Sequence, residues 1–121
     1  MPLTYVKTSD PRTEEIRKQN DRFRTQVISK NVDTRTLKRL SPRALEEVIH
    51  LVRNFESFAP QWDILGEHAT GAFVYNKTWY VFHIEYFFHP YTMDPKYENP
   101  ADLTMTYRAL CVMTANEFCI C

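Results

Sequence analysis

His68, His83 and Glu85 are the residues of this chain whose types and spacing invite chemistry. They come together if Asn76-Lys77 is a two-residue hairpin turn, because that register sets Thr70 across from His83 and His68 across from Glu85. Two histidines and a carboxylate in one cross-strand neighbourhood can ligate a metal ion, or can form an acid–base pair in which Glu85 orients His68. The same residues also suit an ordinary cross-strand polar pair, worth a few tenths to about 1 kcal/mol. His50 and His89 have no positioned partner and read as surface or core-edge residues.

The hairpin that must position this cluster is written in the sequence around the turn. Phe73-Val74-Tyr75 precedes Asn76-Lys77 and Trp79-Tyr80-Val81-Phe82 follows, with Asn suited to a left-handed backbone. Alternation places Glu67, Ala69, Gly71, Phe73 and Tyr75 on one face beside Tyr80, Phe82, Ile84, Tyr86 and Phe88, an aromatic surface expected to bury against helices. His68, Thr70, Ala72 and Val74 share the other face with Trp79, Val81, His83 and Glu85. Gly71 lies mid-strand on the core side, which marks the close approach of another element, a helix before a ligand. Residues 107–113 suit a third strand, although Ala, Leu and Met there also suit a helix.

Two helices should cover the aromatic face. Asp10-Pro11 opens the first, with Ile16, Asn20, Phe23 and Val27 on one narrow stripe. Ser41-Pro42 opens the second, with Leu45, Val48, Ile49, Val52 and Phe55 on a broader one that ends before Pro60. The β-branched stretch from Thr25 to Leu40 offers a short edge strand or hairpin. His89 to Thr104 carries Pro90, Pro95 and Pro100 and is long for a connection, which favours a functional loop. The expectation is an α+β domain of two or three helices on one face of a small antiparallel sheet.

Composition bounds the rest. A chain of 121 residues with 44% hydrophobic content is one domain with a sufficient core, here spanning residues 1–121. Only two glycines are present, and neither a dinucleotide fingerprint nor a phosphate-cradling P-loop occurs in the chain. No signal peptide or membrane span is visible, so the cytosol is the expected location. Cys111, Cys119 and Cys121 lack zinc-site spacing and read as reduced thiols.

Net charge is zero, yet residues 1–60 carry 12 basic and 8 acidic residues while residues 61–121 carry 3 and 7. The basic excess is sharpest over residues 12–43, a stripe able to meet an acidic partner or phosphates, or equally a solvated helix face. Aromatics divide the other way, with 13 of 17 from Trp62 onward. The first half is thus helical and basic, the second aromatic and strand-rich.

Further residues carry a resemblance. Asn20-Asp21-x-Phe23-Arg24, Phe55-x-x-Phe58, Asp63-x-x-Gly66-Glu67-His68-x-x-Gly71-Ala72-Phe73, Phe82-x-Ile84-x-Tyr86, Asn99-Pro100-Ala101-Asp102, Thr106-x-Arg108-x-Leu110 and Ala115-x-Glu117-Phe118 together resemble a family of small bacterial proteins. That family is associated with phages, plasmids and other mobile elements and is known only as a domain of unknown function. The likeness runs from about residue 14 to 118, nearly the whole chain. Its members carry an acidic residue where this chain has Ala69, and Lys-Ile-Asp-Tyr where it has His83-Ile84-Glu85-Tyr86. A lysine in place of His83 cannot ligate a metal, so the resemblance argues against a metal site, and with no cofactor motif in the sequence no cofactor is expected. Glu67, His68, Glu85, Asp102 and Arg108 form the polar set to which resemblance and register both point.

Three functions follow as expectations. The first is a protein-binding module of a mobile element, acting on a host protein such as a restriction or CRISPR component, with Arg35, Lys38 and Arg39 in the docking surface. The second is a small-ligand binder or enzyme using His68 and Glu85, with Arg108 holding an anionic group. The third is nucleic-acid binding through the stripe 12–43, although no aromatic residues are interleaved there for stacking on bases.

Overall fold

Asn76 and Lys77 both adopt left-handed backbone, with φ of 51° and 66°. That pair of angles makes the tight primed turn whose twist matches its flanking strands. It joins β2 (Thr70–Tyr75) to β3 (Thr78–Phe88). The register is the one expected from the turn, with Thr70 opposite His83, Phe73 opposite Tyr80 and Val74 opposite Trp79. The structure, a computed structural model, describes residues 11–88, 100–101 and 106–120. Asp10, His89, Asp102 and most of the proline-bearing loop lie outside the described residues.

Residues 106–114 are a strand, β4 (Thr106–Thr114), antiparallel to β3 with Arg108 opposite Tyr86. Its outer neighbour is the two-residue β1 (Val32–Asp33), which runs parallel to it. The sheet order is β1-β4-β3-β2. The α+β class therefore stands, while the sheet is mixed and not wholly antiparallel. The reason is topological: β1 arrives from helix α1, so it is free to lie in either direction along the edge of β4.

Helix α1 spans Pro11–Thr25 and α2 spans Pro42–Arg53. Ser41 caps α2, its Oγ accepting from the Ala44 amide at 3.1 Å. Val48, Ile49 and Val52 are fully buried against Phe73, Tyr80, Phe82, Ile84, Leu110 and Val112, so the core lies between α2 and the face read as aromatic. A Cβ at Gly71 would come within 2.5 Å of the Phe82 ring and 2.6 Å of the Phe55 ring. The close approach is thus made by Phe55, just beyond α2, together with the Phe82 cross-strand neighbour. A third helix, α3 (Ala115–Ile120), follows β4. Its Phe118 ring lies 6.0 Å from the His83 ring, so it meets the opposite face of the sheet from α1 and α2.

Candidate functional site

Strand β2 begins at Thr70, and this decides where the polar residues go. Just before it, Gly66 and His68 have φ of 73° and 59°. A left-handed residue interrupts strand alternation, so His68 leaves the face shared with Glu85. The expected His68–Glu85 pair is not formed. His68 turns to α1, its Nδ1 2.9 Å from Asp21 Oδ1 and 3.1 Å from Oδ2. Its backbone amide donates to both oxygens of the buried Asp63 at 3.0 and 3.1 Å. The ring lies flat on Phe58, centroids 3.9 Å apart with 4° between planes.

Asp21 also accepts from Arg24 Nη2 at 3.0 Å. Arg24 is only 3% exposed, and its guanidinium carbon sits 5.2 Å from the Phe58 centroid and 5.8 Å from that of Phe82. Burial lowers the Arg24 pKa, and Asp21 opposes that shift. Its Nε and Nη1 have no hydrogen-bond partner among the described residues.

A second network ties the neighbouring turn of α1 to the sheet. Asn20, fully buried, donates through Nδ2 to the Glu67 carbonyl at 2.9 Å and to Tyr86 Oη at 2.8 Å. Tyr86 in turn donates to Glu67 Oε1 at 2.8 Å. Arg108 donates through Nε to Asn20 Oδ1 at 2.6 Å and through Nη2 to the Pro100 carbonyl at 2.7 Å, while lying over the Tyr86 ring. Burial pushes the Tyr86 phenol well above its usual range, and the Glu67 carboxylate adds to the shift. Arg108 is thereby engaged with Asn20 and Pro100, away from Glu85. His68, Glu85 and Arg108 do not share a site.

His83 and Glu85 lie on the other face. Thr70 Oγ1 is 2.7 Å from His83 Nδ1. Burial lowers the His83 pKa, outweighing the opposite pull of Glu85, and favours the neutral imidazole. Glu85 Oε1 accepts a weak Cys111 S–H contact at 3.5 Å. Both residues line a cavity of about 650 Å³ whose other walls include Trp62, Leu65, Glu67 and Phe118. Three of the expected site residues, Glu67, His83 and Glu85, therefore meet there. A smaller cavity of about 320 Å³ is lined by His68, Asp21, Arg24, Arg53, Glu56 and Phe58.

Arg35, Lys38 and Arg39 stand in the loop after β1 and are exposed. Arg35 folds back on Asp33 through a charge pair of 2.8 Å. Within the stripe 12–43, Arg24 is buried and Arg17 Nε donates to the Gly66 carbonyl at 2.7 Å, so these two cations face the protein. Among the described residues no group of three or more His, Cys, Asp or Glu could hold a metal ion, and no helix is long and apolar enough to cross a membrane.

The fold and these networks define a small α+β domain with a polar cluster at the entrance to its central hairpin. The chain belongs to the family of proteins of unknown function DUF3768, whose sequence profile matches residues 33–117. Glu67, His68, His83, Glu85 and Arg108 fall inside the matched range, and the α1 residues Asn20, Asp21 and Arg24 fall before it. No curated protein and no solved structure matches the chain.

Proposed function

We propose that the protein is a protein-binding module, made by a mobile element and acting on an acidic surface of a host protein such as a defence component. The observations that carry the binding role are an exposed aromatic and aliphatic pair on one face of the hairpin and a cationic loop that meets the hairpin's other face near its turn. Val74 and Trp79 are direct cross-strand partners and remain 48% and 56% exposed. One cavity of about 420 Å³ joins Arg35, Lys38 and Arg39 to Thr78 and Tyr80 at the same end of the hairpin. A tryptophan anchor with a charged rim is the composition that concentrates binding energy in protein interfaces. The mobile-element setting and the host partner rest on the resemblance. Nucleic-acid binding draws less support, because Arg17 and Arg24 face inward.

The test is capture of a host partner on the immobilised protein across a salt series. Wild type should retain a partner at low salt and release it as salt rises. Lys38→Glu with Arg39→Glu, and separately Trp79→Ala, should each lose it with unchanged melting temperature. Retention by both variants would remove this surface from the function.

A further inference from the structure

The cavity of about 650 Å³ at the other end of the hairpin points to an activity separate from protein docking. Its size is within the range of small-molecule sites, roughly 300–1,000 Å³. The walls are largely apolar: Trp62, Leu65, Ala69, Ile84 and Phe118 contribute, with the Trp62 and Phe118 ring centroids 5.9 Å apart. Asp63, engaged by the His68 amide, lines this space together with two further carboxylates, Glu67 and Glu85, and no described lysine or arginine does.

Neither Glu67 nor Glu85 is ion-paired to any described residue. Glu67 accepts from Tyr86 through Oε1 alone, which leaves Oε2 without a bond to the described protein. Glu85 has only the weak Cys111 contact and is otherwise exposed. His83 also lines the cavity, with Nδ1 against Thr70, and burial favours its uncharged form, so it brings no balancing positive charge. Carboxylates and aromatic rings around an apolar volume select for a cation carried on an apolar body, since the carboxylates attract the charge and the rings favour it through their negative faces.

We infer that this cavity binds a hydrophobic organic amine in its protonated form, with the ammonium group between Glu67 and Glu85 and the apolar body against Trp62, Leu65 and Phe118. Trp62 reports directly on occupancy. The chain has two tryptophans, so Trp79→Phe leaves Trp62 as the sole indole emitter. In that background the intact protein is titrated with 2-phenylethylamine, with the neutral 2-phenylethanol and with the anionic 3-phenylpropanoate, at neutral pH.

The amine should give a saturable change in Trp62 emission, the alcohol should bind roughly tenfold more weakly, and the carboxylate should not bind, because one charge-assisted contact is worth about that factor. Glu85→Gln should weaken the amine by a similar factor while leaving the alcohol unaffected. Glu56→Gln, a carboxylate on the smaller cavity, should change neither. Glu67→Gln is a second variant, and if it loses the Tyr86 bond and unfolds, the exposed Glu85 still carries the test. Equal affinity for amine and alcohol, an unchanged amine affinity in Glu85→Gln, or no saturable response from any probe would each overturn the inference.

Discussion

Replacing Gly71 by alanine adds one methyl group where two rings already stand. The new Cβ would lie 2.5 Å from Phe82 Cε2, 2.7 Å from Phe82 Cζ and 2.6 Å from Phe55 Cε2. Phe82 is fully buried and cannot withdraw, and Phe55 is held edge-on by Phe58 and Phe82 at centroid distances of 4.8 and 5.2 Å. Gly71 has no positive φ that alanine would strain. In open space Gly71→Ala would therefore stabilise by about 0.4–1 kcal/mol, through the reduced freedom of the unfolded chain. Overpacking of a filled core costs about 1–3 kcal/mol, so the expected sign is a net loss. For a domain of this size a net loss of up to about 2.5 kcal/mol is a fall of up to roughly 10 °C in melting temperature. Urea unfolding followed by circular dichroism should show a lower midpoint at unchanged slope. Phe55→Leu shortens one of the two obstructing side chains, so Gly71→Ala should cost at least about 0.5 kcal/mol less in that background. A midpoint that rises in Gly71→Ala would refute the reasoning and show open space against the strand.

Two further perturbations test the buried polar groups. Burial holds the His83 pKa below its ordinary 6.5, so between the two values the unfolded chain binds more protons than the folded one. Stability should therefore rise with pH through that window up to about 6.5, and His83→Gln should remove this part of the slope; superimposable pH profiles of the two proteins would contradict it. Arg24 has two buried donors without a partner among the described residues, and its partner Asp21 is 39% exposed and keeps His68. Arg24→Met should thus change stability by less than about 1 kcal/mol, whereas Arg24→Ala, which empties the space between Phe58 and Phe82, should cost about 2–4 kcal/mol. Equal losses in the two variants would show that the charge matters more than the packing.

Much of the architecture was legible because its signals are local. Asn76-Lys77 fixes the turn, the turn fixes the register, and alternation then assigns Phe73, Tyr80, Phe82 and Ile84 to the core. Ser41-Pro42 likewise announces α2. The direction of β1 was not legible, because two residues at a sheet edge carry no pattern that distinguishes parallel from antiparallel pairing. Nor was the fate of His68, since alternation was extended two residues beyond the true start of β2. The α1 partners had one visible sign. Asn20 interrupts an apolar stripe at a position that proves fully buried, and a buried amide demands hydrogen-bonding partners. Its spacing could not say that they would be Glu67, Tyr86 and Arg108, which are 47, 66 and 88 residues away in sequence.

The left-handed turn at residues 66–68 is what divides the polar set in two. A non-glycine residue at positive φ costs on the order of 1 kcal/mol and persists only where its surroundings hold it. His68 is held by Asp63 at its amide, Asp21 at its ring edge and Phe58 at its ring face. That turn sends His68 toward α1 while Glu67 remains at the cavity with His83 and Glu85. Asn20 and Tyr86 then fix Glu67 at its carbonyl and its carboxylate, so one wall of the cavity is set before any ligand arrives, and preorganisation of this kind lowers the cost of binding. The exposed pair Val74 and Trp79 lies toward the turn of the same hairpin. Trp79 and His83 are four residues apart on β3, on the order of 14 Å. At that distance substitutions act independently, so loss of amine binding in Glu85→Gln should leave partner capture intact, and Lys38→Glu with Arg39→Glu should leave amine binding intact.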